Sequence, residues 1–267
     1  MEASDKVLFD RRVRLTVGNV VIEKLHVSFS VRKSTAKEPN VAEIRVYNLA
    51  ETTRGRLKEK GLGLQLEAGY ASELGVLFKG DVRTVDHTKE KADWVTLIRC
   101  GDGERAYRYA KSFESFRPGS NLKDVASRLA DSMGTGRGNM LEKLSQALRG
   151  GIQQFANGFT ANGSAQKALD SILTTAGYEW SIQDGAIQVR LPGASAGGTV
   201  PLLNSATGLV GSPEHGSPDK AGKVSTVKAR SLLRNVYICG QAVQLDARNI
   251  KGPHLITALE HTGDTHG

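Results

Sequence analysis

Residues near the end of the sequence come closest to a set of metal ligands. His261, Asp264 and His266 offer imidazole and carboxylate groups within one short segment, and both groups bind transition metals. Gly263 and the lack of a third nearby histidine argue against a rigid site, so we expect a terminal strand and turn. The remaining histidines are isolated in the sequence: His26, His87, His215 and His254. We therefore predict no metal site and no cofactor.

Two glycine-rich segments have the composition of phosphate-binding loops. Residues 101–103 are Gly-Asp-Gly, and residues 134–138 are Gly-Thr-Gly-Arg-Gly. A dinucleotide fingerprint needs its glycines at the start of a helix in a βαβ unit, and a Walker loop ends in Gly-Lys-Ser/Thr. Neither segment fits either pattern, so both are predicted to be turns.

The sequence contains no local catalytic motif. It has no Gly-x-Ser-x-Gly elbow and no His-Glu-x-x-His helix. The carboxylates Glu67, Asp81 and Asp86 lie on or beside predicted strands, which is typical of solvated positions. Cys100 and Cys239 lie among apolar residues and are too few for a Cys-only zinc site, so we predict reduced core side chains. No catalytic residue is predicted, and we do not expect an enzyme.

The composition indicates a globular protein with a basic surface. The 267 residues carry a net charge of +8, shared equally between residues 1–110 and the remainder. Arg11, Arg12 and Arg14 form the densest basic cluster, which fits either a solvated strand face or contact with an acidic partner or nucleic acid. No apolar run is long enough to span a membrane, and residues 1–10 do not resemble a secretory signal. We expect synthesis in the cytoplasm and no membrane partner.

The first part of the chain has the alternating pattern of strands. Two strands are predicted within residues 6–31, and the next at 42–49. A charged helix is predicted at 51–60, ending before Gly61. Further strands are predicted at 62–70, 76–80, 82–85 and 94–100. Many short strands closed by turns favour a small β-barrel or sandwich.

The pattern then changes twice. Helices are predicted at 122–133, capped by Ser120 or Asn121, and at 165–176, capped by Ser164. Residues 139–155 also have helical spacing, interrupted by Gly150–Gly151. A hairpin with an Asp184–Gly185 turn joins strands at 178–182 and 186–190. Residues 192–223 are predicted to be an extended connector, and Gly252–Pro253 a turn. Strands follow at 224–233, 236–245 and 255–261.

Several ordered segments resemble the baseplate hub proteins of tailed bacteriophages, of the Mu-like and T4-like kind. The segments are Glu43–Leu49, Leu66–Tyr70, Leu77–Val82, Asp93–Thr96, Cys100–Gly103, Gly163–Asp170, Gly177–Trp180, Asp184–Gly185, Thr207–Glu214, Ser231–Leu233 and His261–Asp264. Their order and spacing carry the resemblance from about residue 40 onward.

The resemblance implies an α+β, mainly β chain in which two tube-like β-barrel domains flank a small αβ middle domain. The boundaries are then 1–112 for the first tube-like domain, 113–191 for the middle domain, and 192–267 for the second tube-like domain with its connector. The second domain is small for a barrel and is expected to borrow strands from elsewhere.

The resemblance also implies a structural role in the virion. Three chains would form a homotrimeric ring in the tail baseplate, joining a sixfold tail tube to a threefold central spike. The implied partners are the spike, the distal tube or tail-tip protein, the tape-measure protein, and DNA passing through the lumen. A basic nucleic-acid-binding module remains the alternative, for which Tyr107, Tyr109, Phe113 and Phe116 would be the stacking residues. A cell-wall hydrolase is disfavoured, because neither an acid/base pair nor a zinc site is found.

Overall fold

The computed structural model describes residues 11–59, 61–70, 73–148, 154–216 and 226–265. Some sequence predictions lie wholly or partly outside the described residues. These are the missing secretory signal at 1–10, the start of the first predicted strand at 6–10, Lys60, residues 149–153 of the segment with helical spacing at 139–155, residues 217–225 of the connector and the following strand, and His266.

The described residues form strands in three groups along the chain. The first group is β1 (Arg11–Val17), β2 (Val20–Ile22), β3 (Val27–Ser34), β4 (Val41–Tyr47), β5 (Gly63–Tyr70), β6 (Glu73–Glu90) and β7 (Asp93–Gly101). The second is β8 (Lys111–Phe116), β9 (Ser120–Asn121), β10 (Gln154–Phe155), β11 (Phe159–Ser164), β12 (Glu179–Gln183) and β13 (Ala186–Arg190). The third is β14 (Leu202–Leu203), β15 (Leu209–His215), β16 (Val227–Ser231), β17 (Ala242–Asp246), β18 (Lys251–Leu255) and β19 (Ala258–Asp264).

The helices lie in the first two groups. They are α1 (Glu51–Arg56), α2 (Glu104–Tyr109), α3 (Leu122–Met133), α4 (Met140–Leu148) and α5 (Ala165–Thr175). In α3, the Asn121 side chain accepts a hydrogen bond from the Asp124 amide, and Gly134 ends the helix in a left-handed conformation. Ser164 caps α5 in the same way, by accepting from the Lys167 amide. Both predicted caps are confirmed, because a cap depends on a few adjacent residues.

One large sheet dominates the fold. Its eight strands lie in the order β19-β3-β4-β7-β6-β5-β1-β2. In β3 the buried residues alternate with outward ones, so Val27, Phe29 and Val31 face the core while Ser28 and Ser30 do not. This alternation is what a sheet with one covered face requires. The protein is therefore mainly β, as predicted. The described strands end on β2 and β19 without closing into a barrel, so the predicted barrel stays a prediction.

Three local predictions in this sheet are wrong. The predicted second strand within residues 6–31 splits into β2 and β3, because β2 pairs with β1 whereas β3 pairs with β4. The predicted strands at 76–80 and 82–85 form the single strand β6, which accommodates a bulge after Val82. Gly80 does not end it: a Cβ there would lie 2.6 Å from the Gly101 carbonyl oxygen, so the glycine permits close strand approach. Helix α1 ends at Arg56 and does not reach residue 60.

The middle group packs α3, α4 and α5 with three short ribbons. Helix α4 ends at Leu148, and Gln154–Phe155 pairs with β9 instead of continuing the helix. The predicted hairpin is confirmed as β12 and β13. Its turn residues Asp184 and Gly185 both have positive φ, 53° and 81°, as a tight two-residue hairpin requires.

The third group of strands, β14–β19 (residues 202–264), which we call the closing part of the chain, departs most from the predicted elements. The predicted strand 236–245 shortens to β17, because residues 235–236 and 239–240 form turns, the second with Gly240 at φ of 88°. Gly252–Pro253 is part of β18 and not a turn; β18 lies at a sheet edge, where a proline costs no ladder bond. The predicted strand 255–261 is the end of β18 and the start of β19. Strand β19 pairs with β3 along its whole length, so it belongs to the first sheet and not to the strands around it in sequence.

The buried apolar side chains form three clusters. The first lies beneath the large sheet, the second among α3, α4, α5 and their ribbons, and the third around Leu203, Tyr237, Leu245 and Ile250. Leu259 of β19 packs against the third cluster. The predicted domain boundaries after residues 112 and 191 stay predictions.

Candidate assembly surfaces

A buried carboxylate anchors the middle group to the large sheet. Asp102 follows β7 directly and is fully buried. Its carboxylate accepts hydrogen bonds from the Asp184 amide at 2.6 Å and the Gly185 amide at 2.7 Å. Because these amides form the β12–β13 turn, one side chain of the sheet holds the tip of that hairpin. Charge-assisted bonds of this length are among the stronger hydrogen bonds in proteins.

The Asp184 side chain makes a second contact between the same turn and the sheet. The Lys33 ammonium lies 2.6 and 2.7 Å from the two carboxylate oxygens of Asp184. The Lys33 side chain is only 5% exposed, whereas Asp184 is 28% exposed. Lys33 occupies the inward face at the end of β3, where the strand alternation predicts an apolar residue. An ammonium buried to this degree needs its counter-charge.

The side-chain amides of Asn40 and Gln183 complete the contact. We call this contact the hairpin joint, and it consists of Lys33, Asn40, Asp102, Gln183 and Asp184. Asn40 donates from Nδ2 to the Ile182 carbonyl at 2.9 Å and to Oε1 of Gln183 at 3.1 Å. Gln183 donates in turn to the Ser34 carbonyl at 2.8 Å. The joint is polar throughout, so it fixes the orientation of the hairpin rather than adding to an apolar core.

Burial perturbs the acid at the centre of the joint. Burial, together with the nearby Asp184 charge, raises the pKa of Asp102 to about 6, against the hydrogen bonds and the Lys33 charge that favour ionisation. Shifts of this kind also occur at catalytic sites. Here, however, the oxygens of Asp102 are occupied by the chain's own amides, and those of Asp184 by Lys33. The cluster therefore holds the β12–β13 hairpin in place against the sheet.

The two ends of the large sheet approach each other around a third segment. A cavity of about 180 Å³ is lined by Arg11–Val13 of β1, by Thr262–Asp264 of β19, and by Ser231–Leu233. Leu233 packs against the core beneath the sheet. The sheet therefore curves strongly, and residues 231–233 lie in the seam between its ends.

The two candidate metal ligands near the end of the chain that the structure describes, His261 and Asp264, lie in different surroundings. His261 is buried on the inward face of β19, and burial lowers its pKa to about 4, with a contribution from Lys33. Asp264 instead contacts His26, with Oδ2 and Nε2 2.9 Å apart, and His26 stacks on Tyr47. Within the described part of the chain, no three His, Cys, Asp or Glu side chains are arranged to hold a metal ion.

The cysteines and glycine segments have structural positions. Cys100 and Cys239 are both buried and free, as predicted, and burial raises the pKa of each thiol to about 12. The predicted turn at 134–138 contains the C-terminal cap of α3, and Gly136 forms a parallel bridge with Ala186. The segment 101–103 holds Asp102, whose role in the joint the sequence analysis missed.

The carboxylates and arginines singled out from the sequence lie mostly on the outer face of the sheet. Asp86 pairs with Arg99 at 2.9 Å, and Glu67 lies 3.8 Å from Arg14. Arg14 also pairs with Glu23, so part of the basic cluster is neutralised within the chain. No helix among the described residues is long and apolar enough to cross a membrane.

The predicted aromatic cluster divides between the interior and the surface. Phe116 packs against the core of the middle group beside Phe159, with ring centroids 6.2 Å apart, and Tyr107 is partly buried. Tyr109 and Phe113 are 73% and 71% exposed. Two of the four side chains are therefore available to a partner.

Comparison with known proteins identifies the family. The family described as Baseplate hub gp41 matches residues 7–249. The chain belongs to this family of bacteriophage baseplate hub proteins. Comparison with curated proteins finds no match.

Solved structures share the fold at low sequence identity. A 43 kDa tail protein of prophage MuSo2 from Shewanella oneidensis is 9% identical, with a TM-score of 0.66 over 97% of this chain and 95% of that one. The tail protein from Neisseria meningitidis MC58 is 10% identical, with a TM-score of 0.59 over 95% and 92%. The E. coli c3393 protein, a component of the type VI secretion system, is 10% identical, with a TM-score of 0.55 over 94% and 73%. The chain thus has a phage tail protein fold over almost its full length.

Proposed function

We propose that three copies of this hub protein form a ring that joins a sixfold tail tube to a threefold central spike. Each chain would contribute two tube-like units, so that three chains present six. One is the large sheet, which includes β19, and the second is built from the rest of residues 192–267. The large curved sheet, with apolar residues on one face and charged residues on the other, is the observation that carries the proposal. A wall of a tube needs this division between its two faces.

The outer face of the sheet suits contact with a moving polymer. Arg99 contacts Glu43 and Asp86, and Arg32 contacts Glu260, so positive and negative charges alternate across neighbouring strands. A face with balanced charges attracts a polyanion weakly. We infer that the tape-measure protein and then DNA pass through the ring without being held.

The remaining partners follow from the position of a hub. The ring would contact the central spike on one side and the distal tube or tail-tip protein on the other, as part of the virion assembled from protein made in the host cytoplasm. The E. coli c3393 protein is described as structurally similar to the T4 tail proteins gp27 and gp5, which supports a spike-proximal position. We propose a structural role rather than catalysis.

Light scattering coupled to size exclusion tests the ring directly. The purified protein, measured over a concentration series, should give a species of three times the 28.7 kDa chain mass. If the protein is monomeric alone, co-expression with the neighbouring spike gene should yield a complex with three hub chains. A chain that stays monomeric with the spike and with the tube protein would overturn the proposal. Tight binding of DNA with a steep salt dependence would instead favour the nucleic-acid-binding alternative.

A further inference from the structure

An open cleft of about 980 Å³ lies between the large sheet and the middle group. Its floor is the outer face of β1, β5 and β6, and its walls are α2, the end of α3 and the β12–β13 turn. This volume is at the upper end of the ~300–1,000 Å³ typical of ligand pockets. The hairpin joint fixes one wall of the cleft relative to the floor, so the cleft is preformed.

The glycines of the two predicted turns meet in this cleft. Gly103 follows Asp102, and Gly134 and Gly136 lie after α3, yet all three line the same space, together with Gly185 of the hairpin turn. Glycines bring backbone amides and carbonyls to the surface, where an approaching chain can reach them. The cleft therefore presents much backbone and little side-chain bulk.

Gly63 of β5 is a glycine that the chain itself does not require. Its backbone does not lie in the left-handed region, and a Cβ at this position would meet nothing within 4 Å. A glycine in a strand costs stability relative to a β-branched residue, and often marks a place where another backbone approaches closely. Gly63 lines the cleft floor, so the approach would come from within the cleft.

The charged side chains that line the cleft leave an excess of positive charge. Of the lining carboxylates, Asp184 is paired with Lys33. Asp81 accepts a hydrogen bond from the neutral Arg105 amide at 3.0 Å, so it keeps its charge and offsets one of the lining cations. The lining cations are Lys79 and Arg105. Among the described residues, no carboxylate lies within ion-pairing distance of either side chain. An occupant with carboxylates would complement these two cations.

Tyr109 stands at the rim of the cleft and is 73% exposed. Tyrosine and arginine are, with tryptophan, the side chains enriched at the energetic centres of protein interfaces. Tyr109 is also the one aromatic residue among the described residues that line the cleft. A single-stranded nucleic acid usually stacks several bases on several aromatic side chains, so this lining favours a polypeptide.

We propose that this cleft binds an extended, acidic segment of another polypeptide. The segment would lie along the glycine-rich floor, its backbone near Gly63 and Gly136, with carboxylates at Lys79 and Arg105 and an apolar side chain against Tyr109. The site lies outside the seam between the ends of the sheet. The proposal goes beyond the ring and does not rest on it, because the cleft is complete within one chain.

Fluorescence anisotropy with a defined probe tests the site. The probe is a fluorescein-labelled octapeptide of alternating glutamate and threonine, with a lysine–threonine octapeptide and an eight-nucleotide oligothymidine as comparisons. The acidic peptide should bind the full-length protein, and its affinity should fall with added salt. The double variant K79E/R105E should lose about tenfold in affinity or more, because two charge-assisted contacts become repulsive. Gly63→Val should weaken binding by filling the floor while suiting a strand.

Matched variants separate the site from overall charge. R45E/K89E makes the same change in net charge at exposed positions outside the cleft, and Gly55→Ala changes an exposed helix glycine with open space around it. Both should bind the acidic peptide as the unmodified protein does. The proposal is overturned if R45E/K89E weakens binding as much as K79E/R105E. It is also overturned if oligothymidine binds as tightly as the peptide, or if the acidic peptide does not bind at about 1 mM.

Discussion

The large sheet and the closing part of the chain differ in how they are stabilised. The described residues of the sheet and of the segments packed beneath it bury twenty apolar side chains in one cluster, whereas the third cluster contains four buried ones. At about 25 cal/mol per Å² of buried apolar surface, such a difference decides which unit can fold without help. The sheet has a core of its own, and the closing part depends on neighbours: β19 is inserted beside β3, and Leu233 lies against the sheet core.

The largest losses in stability are expected from substitutions in the two cores, and they should differ in size between the cores. Phe78 is fully buried beneath the sheet, and Leu245 is its counterpart in the third cluster. Phe78→Ala should lower the free energy of unfolding by about 4 kcal/mol, and Leu245→Ala by about 2 kcal/mol, since a small cluster relaxes around a cavity more easily. Urea unfolding followed by circular dichroism measures both. Equal losses would contradict the comparison.

Acidification should loosen the link between the two regions through His261 of β19. The pKa of His261 is lowered by burial to about 4, from about 6.5 when unfolded. Its contribution to stability is therefore present above pH 6.5 and is lost as the pH falls toward 4, about 3 kcal/mol in all. Asp102 acts oppositely: its pKa is raised to about 6, so its contribution is present below its unfolded pKa of 3.8 and is lost as the pH rises through 6.

The variant His261→Gln isolates the first contribution. Between pH 6.5 and pH 4, its free energy of unfolding should gain about 3 kcal/mol relative to that of the unmodified protein, measured by urea titration at each pH. His215→Gln, at an exposed position on β15, is the control. Parallel pH curves for His261→Gln and the unmodified protein would show that β19 is not the pH-sensitive strand.

The two partners of the Lys33–Asp184 ion pair in the hairpin joint should differ in how much stability is lost when each is replaced. Asp184→Asn keeps a side chain that tolerates positive φ but leaves the buried Lys33 ammonium without its carboxylate, and should cost about 2 kcal/mol. Lys33→Met, which leaves a carboxylate that is 28% exposed, should cost less. Thermal unfolding and protease sensitivity of the β12–β13 hairpin measure both. A larger loss for Lys33→Met would contradict this account of the joint.

The smallest change in stability is expected from substitutions on the outer face of the large sheet. Arg32 and Glu260 join β3 and β19 across the sheet, but their side chains are 68% and 59% exposed. Arg32→Ala should change stability by no more than about 0.5 kcal/mol, as for most exposed pairs. A loss above about 1 kcal/mol in a urea titration would mean that charge, and not the backbone ladder, holds the closing strand.

The sequence could predict what depends on neighbouring residues. The caps at Asn121 and Ser164, the Asp184–Gly185 turn and the helical faces are local, and they agree with the structure. The partner of β19 could not be predicted, because the pairing joins residues more than two hundred positions apart. The joint was missed for the same reason, although one signal exists: Lys33 continues the buried series of Val27, Phe29 and Val31. A lysine at such a position indicates a distant carboxylate.

The pairing of β19 with β3 also has a consequence for synthesis. Ser30 and Glu260 lie 230 positions apart, so the ribosome has made most of the chain before β3 meets its second neighbour. Until then β3, the eight-residue strand Val27–Ser34, pairs only with β4 and leaves its other edge open, where another nascent chain can pair with it. A premature stop before Ala258 would leave this strand open permanently. Products truncated there should accumulate in inclusion bodies even though the core beneath the sheet is intact.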